Sequence, residues 1–393
     1  MANSVKDIMF ALIRRAVCGT ELSESVKSQI TPELLKELYD LAKPQDIAHI
    51  IAEALLCEDL LPEGEIKSVY SKEKMTAVFR YAQIRHELAR IYTALDEAKI
   101  KYMPLKGSVI RSYYPKPELR TSCDIDVFID ETDLEIAEQI FLQKLNYAFD
   151  VRTAHDVAFF SASRTHVELH FDLIENDDKI RGVLSHAWEE SIPDGQYSYC
   201  RIMNNEMFLY YHIAHMAKHF ASSGGCGVRP FLDLWIIKNK MGYDEKKLLT
   251  FLRTSSLEVF ANYAMLLSEV WFDGATHTEL TREMENYILG ASIYGDVENR
   301  VALSQIKQGG RFKHILGRLF LPYNKLNKIY PRLKKYPALL PYYQVKRWFR
   351  FVFRKRTAIA FKELKANATV SDEKKRQLSD MCASLGLDLK HSK

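Results

Sequence analysis

The sequence predicts an α+β protein in which a small strand-bearing insert is flanked by N- and C-terminal helical regions. Three observations carry this expectation. Apolar residues recur at helical spacing up to about residue 98, alternate with period two between 99 and 178, and return to helical spacing from about 179. The expected divisions are a helical region 1–98, an α+β core 99–178, a helical domain 179–308, and a basic, aromatic-rich segment with a last helix at 309–393.

In chain order, "TPELLKELYDLAKPQDIAHIIAEALL" has Thr31 as N-cap and Pro32 at the first helical position. "SKEKMTAVFRYAQIRHELARIYTALDEAK" reads as a long amphipathic helix opened by Ser71, with Glu73 in its first turn. "KIKYMPL" and "DIDVFI" are strand-like, and "DLEIAEQIFLQKL" is helical between strands. "DVAFFSAS" and "THVELHFDL" alternate around a short polar link, which predicts a hairpin. Ser371 is placed to cap a last helix that stops at Gly386.

Composition is that of a globular protein, with 47% hydrophobic and 27% charged residues among 393. Six scattered cysteines without a C-x-x-C pair suit reduced thiols in a cytosol better than a zinc site or a disulfide framework. The first apolar run, "IMFALI", stops at Arg14-Arg15 and is too short for a signal peptide, and no run is long enough to span a bilayer. The expected location is therefore cytoplasmic. The net charge of +4 hides an asymmetry: residues 309–356 hold 14 Lys and Arg and no acid, while the remainder has 41 basic against 51 acidic residues.

Chemistry concentrates in the insert. Asp124 and Asp126 interrupt the apolar strand "DIDVFI", and alternation points both carboxylates to one face. Like charges side by side are costly unless a cation or donors stand between them. The pair can bridge one or two Mg²⁺ ions, or lie solvated on an exposed strand edge. "PLKGS" sets Lys106, Gly107 and Ser108 at a strand end before a helical "SVIRSYY", which can be a phosphate-binding turn or simply a turn. In "HVELHFDL", Val167, Leu169 and Phe171 face the core and leave His166, Glu168, His170 and Asp172 on the other face. Glu168 or Asp172 could then supply a third carboxylate, and Glu168 is the more central. His170 beside it is a candidate metal-shell or substrate contact.

Gly107-Ser108, a gap of 15 residues, Asp-Ile-Asp and a distal strand with an acid resemble the nucleotidyltransferase superfamily typified by DNA polymerase beta. "LKGSVI", "RTSCDIDVF" and "VELHFDL" look like a mainly bacterial branch of nucleotidyltransferase family proteins. The resemblance runs on into "HIAHMAKHF", "RPFLDLW" and the tail "LFLPYNKL…YPRLKKYPALLPYY", although only residues 104–128 are specific, and the spacer is slightly longer than usual. It implies a small mixed-sheet nucleotidyltransferase core that moves a nucleotidyl group from a nucleoside triphosphate to a hydroxyl. Two Mg²⁺ ions would be held by Asp124, Asp126 and Glu168, which are the catalytic and metal candidates. Gly107 and Ser108 would meet the phosphates, with Lys106 and Arg120 as nearby cations. The acceptor class stays open among small molecules, protein side chains and RNA ends. The alternative is a nucleotide-binding or interaction protein without turnover.

On the helix that follows, His212, His215 and His219 share one side. With Lys218 they can face an anionic nucleotide, which makes Lys218 and His219 nucleotide-binding candidates, or they can be hydrogen-bonding spacers in a half-buried helix. Arg229 and Asp233 are spaced for a local ion pair. The basic segment, with "VKRWFRFVFRKR", suits a polyanion such as RNA or an anionic membrane surface, which would make the protein peripheral to a membrane.

Overall fold

The computed structural model describes residues 4–173, 177–292, 295–310, 312, 317, 320–353, 363, 366–387 and 389. It is an α+β fold with helices on both sides of the central sheet. The chain opens with helices α1 (Val5–Ile13), α2 (Pro32–Ala42), α3 (Ala48–Cys57) and α4 (Glu65–Glu97). Thr31 caps α2 through its side chain, as expected. α4 instead begins six residues before Ser71, at Glu65, after Gly64, whose φ of 113° few other residues adopt. The early turn is held by Tyr70, which is buried and donates to the Leu35 carbonyl at 2.7 Å. Here a tertiary anchor outweighs a local cap signal.

Five strands follow: β1 (Tyr102–Pro104), β2 (Asp124–Ile129), β3 (Ala148–Arg152), β4 (Asp156–Phe160) and β5 (His166–His170). Their order in the sheet is β1-β2-β5-β4-β3, with β2 parallel to β5 and the other pairs antiparallel. The expected hairpin is β4–β5. β3 escaped notice because its first two residues, Ala148 and Phe149, are exposed and its pairing shifts register between Phe149 and Val151. A two-stranded ribbon, Ser191–Pro193 with Arg201–Met203, also interrupts what the periodicity presents as helix.

One face of the main sheet is mainly apolar. Ile125, Val127, Val157, Phe159, Val167 and Leu169 pack against Ile84, Ile91 and Leu95 of α4 and against Phe141, which follows helix α5 (Leu134–Gln139). The opposite face meets a larger core. That core joins α1–α3 to α6 (Asn205–Ser222), α7 (Arg229–Lys240), α8 (Glu258–Asp273) and the final helix, α10 (Asp372–Ser384). Ser371 caps α10, and Gly386 follows it at φ 70°, as the sequence implied. Between them lies α9 (Leu340–Phe353) of the basic segment. Arg311, Lys313, Arg318 and residues 354–356 of that segment lie outside the described residues. All six cysteines are free thiols, and among the described residues no helix is long and apolar enough to cross a membrane.

Candidate active site

The site grows from the polar positions of β2 and β5. Because the strands are parallel neighbours, Asp126 stands opposite Glu168 and Asp124 opposite His166, so all four side chains share one face. β4 extends that face, with Asp156 opposite His170. Asp126 is 3% exposed, a burial that an isolated carboxylate would not tolerate. Two cations compensate it. Lys106 Nζ lies 3.0 Å from Asp126 Oδ1, and His170 Nε2 lies 2.8 Å from the same oxygen. His170 Nε2 is also 3.3 Å from Glu168 Oε2, so one imidazole ties both carboxylates.

The electrostatics separate the two aspartates. Burial pushes the Asp124 carboxyl above its usual range, and the neighbouring Asp126 charge adds to the push. Burial would raise Asp126 as well, but the charge of Lys106 and the hydrogen bond from His170 hold it well below the usual range. Burial opposes protonation of His170, yet its bonds to Asp126 and Glu168 carry it up to about 9. Lys106 is likewise held charged, burial notwithstanding, chiefly by Asp126.

Lys106 reaches the carboxylates because its backbone turns sharply at φ 45°, ψ −119°, a conformation that costs a non-glycine residue of order 1–3 kcal/mol. The chain then enters a single helical turn, Gly107–Ile110. The Ser108 amide donates to the Leu105 carbonyl at 3.0 Å, so it is already engaged within the turn. The Ser108 hydroxyl is buried and has no hydrogen-bond partner, the kind of orphan a bound ligand would satisfy. Gly107 sits close against two guanidinium groups: a Cβ there would lie 3.2 Å from Arg111 Nη2 and 3.5 Å from Arg120 Nη1.

Arg111, which the sequence gave no reason to select, braces this turn. Its Nε donates to the Gly107 carbonyl at 2.6 Å and its Nη2 to Ser122 Oγ at 3.0 Å. Ser122 Oγ donates in turn to the Asp124 carbonyl at 2.9 Å. One guanidinium thus couples the turn to the carboxylate strand. Arg111 is 5% exposed, and among the described residues no carboxylate pairs with it. Burial, then the nearby charge of Arg120, lowers it to about 10.

Arg120, expected near a phosphate, is committed elsewhere. Its Nε lies 2.7 and 2.9 Å from the two Asp233 oxygens, and its Nη2 lies 2.7 Å from Oδ2. Tyr114 donates to Asp233 at 2.7 Å. This buried cluster fastens the loop between Gly107 and β2 to α7. The local Arg229–Asp233 pair does not form, because Arg229 bonds Asp46 at 2.7 Å instead. Asp172 pairs with Arg181 at 3.2 Å, beyond the end of β5, and leaves Glu168 as the acid beside the aspartates.

The histidine row on α6 divides. His212 turns to the Pro230 carbonyl at 2.8 Å, while His215 and His219 approach each other at 3.1 Å between Nε2 atoms. Burial, then Lys106, keeps both neutral, with His219 lowered to about 4. The charge of Lys218 adds to the same effect. Among the described residues, the sets able to hold a metal are Asp126–Glu168–His170 and His155–Asp156–His170, and neither includes α6.

The family model for uncharacterised nucleotidyltransferases matches residues 32–273. The chain belongs to this family. The enzyme is therefore a nucleotidyltransferase, a transferase of phosphorus-containing groups, and its candidate site lies wholly inside the matched span. No curated protein and no solved structure matches the chain. The basic segment lies outside the matched residues.

Proposed function

We propose that this nucleotidyltransferase moves a nucleotidyl group from a nucleoside triphosphate to a hydroxyl acceptor with the help of two Mg²⁺ ions. The observation that carries the reading is the shared face of Asp124, Asp126 and Glu168, tied through Lys106 to the turn that holds the orphaned hydroxyl of Ser108. The donor set fits the metal. Carboxylate oxygens are what Mg²⁺ prefers, and the depressed carboxyl of Asp126 stays ionised. Asp124, Asp126 and Glu168 would hold the ions, whose chemistry is to activate the attacking hydroxyl and neutralise the departing pyrophosphate.

The chain's own groups supply the rest. Lys106, Arg111 and the Ser108 hydroxyl converge on the turn at Gly107, so a triphosphate seated there meets two cations and an unsatisfied donor. The Arg111 charge acts from beneath the turn, where its guanidinium holds the Gly107 carbonyl and Ser122. His170 fixes the relative orientation of Asp126 and Glu168 through its Nε2–H. His215, His219 and Lys218 form the opposite wall and present neutral donors and one cation to the nucleotide.

The test is incubation with each α-labelled nucleoside triphosphate, Mg²⁺ and a cell extract, followed by identification of the labelled product. The expected result is one labelled species that requires Mg²⁺ and is absent with Asp126→Asn. Label transfer that persists in that variant, or that proceeds equally in chelator, overturns the assignment.

A further inference from the structure

We propose that residues 320–349 form a docking surface for a lipid bilayer rich in anionic headgroups. Within this stretch, helix Tyr323–Ile329, the turn Arg332–Lys335 and α9 enclose a small cluster of their own, Leu326, Leu333 and Tyr343, separate from both larger cores. The apolar side chains left outside outnumber those inside. Phe320, Tyr336, Leu339, Tyr342, Val345 and Phe349 are all exposed, between 39% and 59%. Scattered exposed apolar residues are ordinary, but a run of them on one appendage marks an interaction surface.

Their arrangement is that of an interfacial helix. Tyr342, Val345 and Phe349 fall at i, i+3 and i+7 on α9, so they make one stripe, and Leu339 continues it one turn earlier. Exposed Lys334, Lys335 and Lys346 accompany the stripe, and residues 309–356 contain no acid to oppose them. Lys346 Nζ lies 5.8–6.0 Å from the ring centres of Tyr330, Tyr342 and Tyr343, an ammonium carried on an aromatic bed. An apolar stripe with basic flanks buries its apolar side at the acyl boundary and keeps its cations among anionic headgroups. The aliphatic members decide between polyanions. Leu339 and Val345 offer nothing for a nucleic-acid base to stack on, whereas a bilayer takes aliphatic and aromatic side chains alike. Lys328 comes within 3.9 Å of Asp172, so the appendage approaches the C-terminal end of β5, a strand that bears the carboxylates.

The full chain is to be floated with vesicles of phosphatidylcholine alone and of phosphatidylcholine mixed with phosphatidylglycerol. The wild type should float with the mixed vesicles only, and added salt should weaken its binding. Tyr342→Asp with Val345→Asp should lose flotation even at low salt. Lys334→Glu, Lys335→Glu and Lys346→Glu together should lose it at physiological salt, with the melting temperature unchanged. If the aspartate variant unfolds, the charge variant decides: flotation equal to wild type overturns the proposal. So does a wild type that ignores anionic vesicles, including one that instead binds a single-stranded oligonucleotide, or one that forms dimers which the aspartate variant dissociates.

Discussion

The two faces of the five-stranded sheet are built from the same strands and obey opposite rules. On one, Ile125, Val127, Val167 and Leu169 are fully buried against α4 in an apolar cluster. On the other, one residue away each time, stand Asp124, Asp126, Glu168 and His170, with His170 bonded to both Asp126 and Glu168. Alternation along a strand lets stability and chemistry occupy interleaved positions with no shared side chain. Substitutions on one face should therefore move the melting temperature, and on the other the activity.

The largest effect should come from the charged face. Asp126→Asn should lower nucleotidyl transfer by about a thousandfold or more, since several kcal/mol of charge stabilisation at the reacting phosphate depends on such a ligand. The aspartates should part company in stability. Asp124 is held above its usual range, so its charge opposes folding, and Asp124→Asn should raise the melting temperature of metal-free protein at neutral pH. Asp126 is held below its range, so Asp126→Asn should lower it. Melting curves of both variants in chelator check the pair of signs, and equal shifts would contradict the assignment of Lys106 and His170 to Asp126.

Asp233→Ala tests whether a charge can belong to the scaffold instead of the site. It leaves Arg120 buried without a partner beside Arg111, which should cost about 3–5 kcal/mol in a denaturant titration. Leu169→Ala, on the apolar face, should cost about 2–5 kcal/mol and leave activity per folded molecule unchanged. A large loss of specific activity there would mean the two faces are not independent.

The smallest effect is a pH dependence. His170 is raised to about 9, so its contribution to stability is full below the ordinary histidine value of about 6.5 and is lost as pH rises through about 9. Metal-free wild type should therefore lose melting temperature across that interval, and His170→Gln should flatten the slope. Parallel profiles for the two proteins would remove His170 from the carboxylate pair.

What the sequence made legible follows the same division. Period-two alternation is local, so the shared face of Asp124 and Asp126 and the outward set on β5 could be read directly from "DIDVFI" and "HVELH". Asp126 beside Lys106 could not, because it needs a positive φ that no residue type announces at a lysine. The pairing of Arg120 with Asp233 could not be read either, because the two lie 113 residues apart. Arg111 carried no signal at all: an arginine in "VIRSYY" looks like a surface charge until the fold closes over it. The helix start at Glu65 was hidden similarly, since Ser71 is a good cap in isolation and Tyr70 is an anchor only in the assembled core.

The core on the charged side of the sheet has a consequence for how the protein comes off the ribosome. Every candidate site residue is in place by α6, yet the apolar surface behind them is covered by residues made much later. Tyr287 stacks near Phe220 and donates to its carbonyl at 2.9 Å, Glu285 accepts from the Trp271 indole, and Leu378, Met381 and Cys382 of α10 close the same cluster. A nascent chain ending near residue 273 would carry every candidate site residue on an unfinished body. Its bare apolar flank is the kind of surface that chaperones hold until the last helix arrives.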